Sequence, residues 1–358
     1  LHPLQIITMK YYLYKKISTL NFYVLILILL SACSQNKLSI LEDDFIINER
    51  KEILLQKTIL IKEMAKASIK LQKITWPILK KNKEQCLKTK SYSYGVLYAY
   101  IKDVPSEDVQ IFHDLYNSSI KKIYFDKYKT NNFPIILSVA ESSPGFEAGL
   151  KSNDIVIKIN GGSTQDFRKK LKILYETETE LTITVLRKEQ IKTFKLNGVK
   201  ACAYNVQPFP SGAPNAFADG NKVFITMAAI KLAQTDDEIA FLIGHEIAHN
   251  IKHFKKFNSN EANSLAINYL DMPKVREFSD LFIWSNEQKE IEADIEGVKL
   301  AFKAGYSLKN VNDYWRRLSV FNPELIKKSK HIYKGNAFRA TLINKTLNEL
   351  KLNKDEHR

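Results

Sequence analysis

The densest run of reactive side chains extends from Thr235 to His249, TDDEIAFLIGHEIAH. Thr235 with Glu238 three residues on forms a capping box, which starts a helix there. On that helix His245 and His249 lie one turn apart and project from one face, so both imidazoles reach a single divalent ion. Glu246 sits about 100° around the helix from His245, where its carboxylate can aim at a water molecule on that ion. Zinc held by two histidines needs a third protein ligand and keeps the fourth position for water. A second helical segment, Glu287 to Ala304, supplies acids, and Gly305 stops it. Within it Glu290 and Asp294 share a face. Glu290 suits the third ligand, and Asp294 suits accepting the N–H of a ligand histidine to fix its tautomer. A rotated helix would offer Glu287, Glu292 or Glu296 instead. His253, four residues past His249, leaves open an alternative pair, or else faces solvent or stands behind the site. His113 and His357 have no nearby partners that suggest ligation.

The elements that must position these groups lie in a chain of 358 residues, which suggests two or three domains. Hydrophobic residues at 45% and charged residues at 26% exclude a wholly disordered chain. Three cysteines exclude a disulfide-dense miniprotein. Lys+Arg 54 against Asp+Glu 39 gives +15, but the lysines are spread along the chain without an arginine-rich run. With no aromatic-and-basic recognition motif, the charge reads as solvated surface and no nucleic-acid partner is expected.

The N-terminus sets the compartment. Reading from Met9, Lys10, Lys15 and Lys16 form a basic region, and FYVLILILL (22–30) a short apolar core. The run is shorter than the roughly 20 residues of a transmembrane helix, so a cleaved export signal is expected. Leu30-Ser31-Ala32-Cys33 resembles the lipobox of bacterial lipoproteins, which implies lipidation of Cys33. A plain secretory signal or an uncleaved anchor is the alternative. In an oxidising space Cys86 and Cys202 can form a disulfide, or stand as two buried thiols. Between Cys33 and Cys86, Ile53, Leu60, Met64, Ala67, Leu71 and Ile74 recur at helical spacing, and Trp76-Pro77 is expected to end that helix.

Residues 125 to 197 read as strands and turns: Ile135 to Val139, Asp154 to Ile159 ended by Asn160-Gly161-Gly162, a helix near 165 to 175, and a hairpin of Leu181 to Leu186 with Ile191 to Leu196. The stretch SPGFEAGLKSNDIVIKING resembles the PDZ signature, with Asn153 where glycine is usual. The resemblance implies a small β-barrel that captures peptides by strand addition, or one used only as a spacer or brace.

HEIAH followed by EIEAD resembles the peptidase family of HtpX and the CAAX prenyl proteases, in which the first glutamate of the E-x-x-A-D segment is the third zinc ligand. Asn215-Ala216-Phe217-Ala218-Asp219-Gly220 looks like that family's strand beside the active site, which implies that Asn215, Ala216 and Phe217 form an edge for extended substrate. His331 and Arg339 loosely echo a downstream family segment, implying a transition-state donor or regulatory zinc contact at His331. Named members carry several membrane spans; this chain shows none after its signal and resembles an exported branch.

An α+β chain is therefore expected: signal peptide at 1–33, helical region at 34–124, PDZ-like domain at 125–197, and a helix-rich HExxH zincin domain with a short sheet at 198–352. The implied function is a metalloendopeptidase with one zinc per chain, acting on unfolded or extended polypeptide. Its implied place is a bacterial envelope, held by a lipid anchor, with the outer membrane facing the periplasm favoured. The alternative is a PDZ-containing adaptor or chaperone whose zinc site is structural or self-inhibited. Oligomeric state is not legible.

Overall fold

The computed structural model describes residues 43–86, 90–99, 108–116, 133–164, 180–254, 286–327 and 334–356. Two compact units divide the chain, Leu1–Leu55 and Gln56–Arg358. In the first, the described residues begin helix α1 (Asp43–Lys81), and Phe45, Ile46, Ile53 and Leu54 are exposed there. The other described residues, from Gln56 on, belong to the second.

There α1 buries Met64, Ala67, Leu71 and Ile74, as the stripe predicts, while Leu60 stays exposed. It does not stop at Trp76-Pro77: the helix runs through Pro77 to Lys81. Ile78, beyond the proline, is fully buried in the same core as Leu71 and Ile74, and this packing outweighs the local preference. Asn82 then closes the helix, donating to Ile78 O at 2.9 Å and reaching Leu300 O at 2.9 Å. Cys86 and Cys202 form a disulfide with Cα atoms 5.4 Å apart, pinning the end of α1 to strand β8 (Val199–Cys202).

The expected helical region also supplies strands: β1 (Lys90–Ser93), which pairs antiparallel with β8, and β2 (Val96–Ala99), followed by helix α2 (Val109–Tyr116). The four residues of β2 are all buried, so the strand lacks the alternation that marks a half-exposed one. Next come β3 (Ile135–Val139), the short helix α3 (Pro144–Glu147), β4 (Ile155–Ile159), β5 (Gly162–Ser163), β6 (Glu180–Arg187) and β7 (Gln190–Asn197). The sheet order is β2-β3-β4-β6-β7, with β5 on β4. Asn153 takes φ 69°, the left-handed conformation that asparagine tolerates in place of glycine. Behind this turn Asp154 is buried and held by Arg187 at 2.6 Å. The helix expected near 165 to 175 lies outside the described residues, as do Cys33 and the signal segment.

A second, three-stranded sheet has the order β10 (Ala216–Ala218), β11 (Lys222–Thr226), β9 (Asn205–Phe209). Among the described residues, the α-helices that follow are α4 (Met227–Leu232), α5 (Asp236–Lys252), α6 (Glu287–Lys303), α7 (Asn312–Phe321) and α8 (Asn336–Glu356). Mixed helix and sheet is thus the architecture. Among the described residues, no helix is long and apolar enough to cross a membrane.

Candidate metal centre

Helix α5 starts where the capping box predicts, with Thr235 Oγ1 accepting from Glu238 N at 3.3 Å. The reciprocal bond is shifted by one residue. Glu238 Oε2 accepts from Gln234 N at 2.7 Å and is also paired with Arg317 at 2.5 Å, which compensates its burial. The helix is buried over nearly its whole length, so His245 and His249 are carried into the core rather than along a surface. Asn286 caps α6, accepting from Lys289 N, and Gly305 at φ 101° follows its end.

The two helices touch backbone to backbone. A Cβ on Gly244 would lie 2.6 Å from Gly297 O, and one on Gly297 would lie 2.7 Å from His245 N. Only paired glycines permit this approach, and it brings the α6 acids to the α5 histidines. Gly297→Ala is expected to force the helices apart, costing about 1–3 kcal/mol as overpacking does. Metal affinity should fall with it, as read by chelator competition beside a thermal melt.

At the crossing His245 Nε2 and His249 Nε2 lie 3.1 Å apart. Glu290 presents one oxygen to each: Oε2 to His245 Nε2 at 3.3 Å and Oε1 to His249 Nε2 at 3.3 Å. Ligands bonded at about 2.0–2.1 Å to a tetrahedral zinc-like ion stand about 3.3 Å from one another. The three side chains therefore fit one small cation, and they form the single such group among the described residues. Glu287, Glu292 and Glu296 do not share it.

Asp294, one turn beyond Glu290, places Oδ1 3.0 Å from His245 Nδ1. Arg339 of α8 grips the same carboxylate, with Nε 2.8 Å from Oδ2 and Nη2 2.5 Å from Oδ1. Its guanidinium also stacks over Trp315 at 4.0 Å. The sequence marked Arg339 only as an echo of a family segment; its part beneath the histidine comes from the fold. His253 is no alternative ligand to the same ion. Its Nδ1 faces His249 Nδ1 at 2.9 Å, on the side away from Glu290. His331 and His357 lie outside the described residues.

Burial opposes charge throughout the site. It pushes the Glu246 carboxyl up to about 7, with Glu290 and Asp294 adding to the rise and His245 and Arg339 opposing it. His245 is buried too, yet its bonds to Asp294 and Glu290 raise it to about 10. Burial lowers His249. Against its own burial, Glu290 is held well below the carboxylate range by the two histidines.

Among the described residues, β10, the strand read as a substrate edge, pairs with β11 and packs beside α5. Its backbone is fixed by Asn215 N donating to Thr226 Oγ1 at 2.9 Å, while Asn215 Oδ1 accepts from Ala216 N at 2.9 Å. Phe217 points into the core, stacked on Phe224 at 4.9 Å. Asn250, which the sequence reading passed over, ties the turn after β10 to α5. It accepts from Gly220 N at 2.7 Å and donates to Lys222 O at 3.1 Å.

Residues 183–257 match the profile of peptidase family M48, and residues 122–197 match the PDZ domain profile. The mitochondrial metalloendopeptidase OMA1 of Saccharomyces cerevisiae is 26% identical over 151 residues, covering 36% of this chain and 40% of that protein. The chain is thus similar to M48 peptidases over residues 183–257 and to PDZ domains over residues 122–197. The M48 match includes His245, Glu246 and His249 and ends before Glu290, so the carboxylate corner of the centre rests on the geometry. The chain spans well under two thirds of the yeast relative.

Proposed function

We propose that this chain is a zinc-dependent metalloendopeptidase that cleaves extended or misfolded polypeptides at a bacterial cell envelope. The observation that carries the reading is the convergence of two Nε2 atoms, 3.1 Å apart, each with one Glu290 oxygen at 3.3 Å. His245, His249 and Glu290 would hold one zinc ion. When bound, zinc supplies Lewis acidity, polarising a carbonyl and acidifying water. Glu246, buried and poised near neutrality, takes the proton of the attacking water and passes it to the leaving amine. Asp294 keeps the His245 Nδ1 proton and so turns Nε2 to the ligand site. Asn215 to Phe217, at β10 beside α5, is the stretch along which an extended chain would lie.

Residues 122–197, which match the PDZ domain profile, are the part of the chain read as capturing a client segment. The export-like N-terminus with Cys33 in a lipobox supports envelope placement through a lipid anchor. So does the Cys86–Cys202 bridge, since disulfides persist in oxidising compartments.

The test is metal analysis of purified protein alongside digestion of unfolded casein. One zinc per chain, loss of that zinc in Glu290→Ala, and proteolysis abolished by a chelator and restored by zinc are expected. Casein cleavage that survives complete zinc removal would sink the assignment. Client binding through the PDZ domain without any turnover would favour an adaptor or chaperone.

A further inference from the structure

The two histidines of the centre are held from behind in different ways. His245 leans on Asp294, a buried carboxylate clamped by Arg339. His249 leans on another histidine. Its Nδ1 lies 2.9 Å from His253 Nδ1, and His253 Nε2 lies 3.2 Å from Glu292 Oε2. His253 is the C-cap residue of α5, with its backbone N–H on His249 O at 2.8 Å, so its ring stands one turn beyond His249 on the same face. Glu292 comes from α6, two residues after Glu290, and its side chain is 46% exposed.

Proton bookkeeping along this row has one consistent solution. His249 presents Nε2 toward Glu290 and His245, so that nitrogen must be free of hydrogen to bind a cation, and its proton sits on Nδ1. A proton there needs an acceptor, which requires His253 Nδ1 to be bare. The His253 proton is then on Nε2, where Glu292 accepts it. Each contact carries one hydrogen, and each imidazole is neutral.

We propose that His253 and Glu292 act as a positioning relay that fixes the tautomer and ring orientation of His249 for metal binding. The proposal rests on the metal-centre reading above and adds to it a role for two residues that touch neither metal nor substrate. The arrangement makes the centre asymmetric: one histidine is fixed by a dry carboxylate–guanidinium pair, the other by a row ending at the surface.

The full chain is tested by zinc affinity, from competition with a chromophoric chelator, and by the visible spectrum of the cobalt(II)-substituted protein. Loss of a group behind a ligand histidine weakens metal binding by about 10- to 100-fold. His253→Ala is expected in that range with an altered cobalt spectrum. His253→Asn, whose Oδ1 can replace Nδ1 as the acceptor for His249, should recover most of the loss. Glu292→Ala, at a half-exposed side chain, should lose less than about tenfold and keeps the test decisive if His253→Ala does not fold. Zinc affinity and cobalt spectrum unchanged in Glu292→Ala and His253→Ala overturn the relay while leaving the centre intact. A wild-type chain that binds no zinc overturns the centre itself, and the relay with it.

Discussion

Replacing Glu246 by glutamine is expected to lower kcat on unfolded casein by about 10²–10⁴-fold, the range that a positioned general base contributes. Zinc content should stay at the wild-type level. The two effects separate because the ligand atoms come from His245, His249 and Glu290, while Glu246 lies on the same helix at a different angle. Glutamine keeps the size of the side chain and removes its basicity. The pH profile follows from the same environment. Burial holds the carboxyl at about 7, and the base works only when ionised, so activity rises with pH on the acidic limb. A dication bound beside it favours the carboxylate, which sets that limb at or below neutrality rather than above it. Equal turnover by wild type and Glu246→Gln would remove Glu246 from the mechanism.

How much of this was legible in the chain depends on whether the deciding physics is local. Thr235, His245, Glu246 and His249 sit on one helix, and helical periodicity alone fixes their relative directions. Glu290 and Asp294 were legible as a pair for the same reason. That the two helices meet followed only from the need for a third ligand and from the family resemblance; how closely they meet was not legible, because the contact depends on Gly244 and Gly297 some fifty residues apart, and a glycine in a helix carries no mark of its partner. Arg339 and Asn250 escaped assignment likewise, since a buried polar residue shows its role only through what it reaches. Pro77 misled in the opposite direction. Its local preference is real, yet the burial of Ile78 and the cap by Asn82 carry the helix past it. The strand at Val96 to Ala99 was hidden by complete burial, which erases the alternation by which half-exposed strands are recognised.

Arg339→Leu is expected to destabilise the protein by about 3–5 kcal/mol near pH 7, because removing one member of a buried ion pair leaves the other uncompensated. Asp294 is nearly inaccessible, at 1% exposure. Burial alone would raise its pKa; the Arg339 charge and the bond from His245 instead hold it below the ordinary aspartate range. The sign of the pH dependence follows. A carboxyl whose folded pKa is depressed contributes stability above its unfolded value of about 3.9, and that contribution is lost as pH falls through the folded value. The gap in Tm between wild type and Arg339→Leu should therefore be widest at neutral pH and shrink on acidification below about pH 4. A second consequence distinguishes charge compensation from histidine positioning. Replacing both partners by leucine removes the stranded charge and should recover much of the lost stability, since apolar substitutes for a buried pair are often neutral. It also removes the acceptor for His245 Nδ1, so zinc affinity should stay about 10- to 100-fold below wild type. A double variant that recovered zinc affinity together with stability would mean that Asp294 serves the fold alone, and that His245 needs no acceptor behind it to hold a metal.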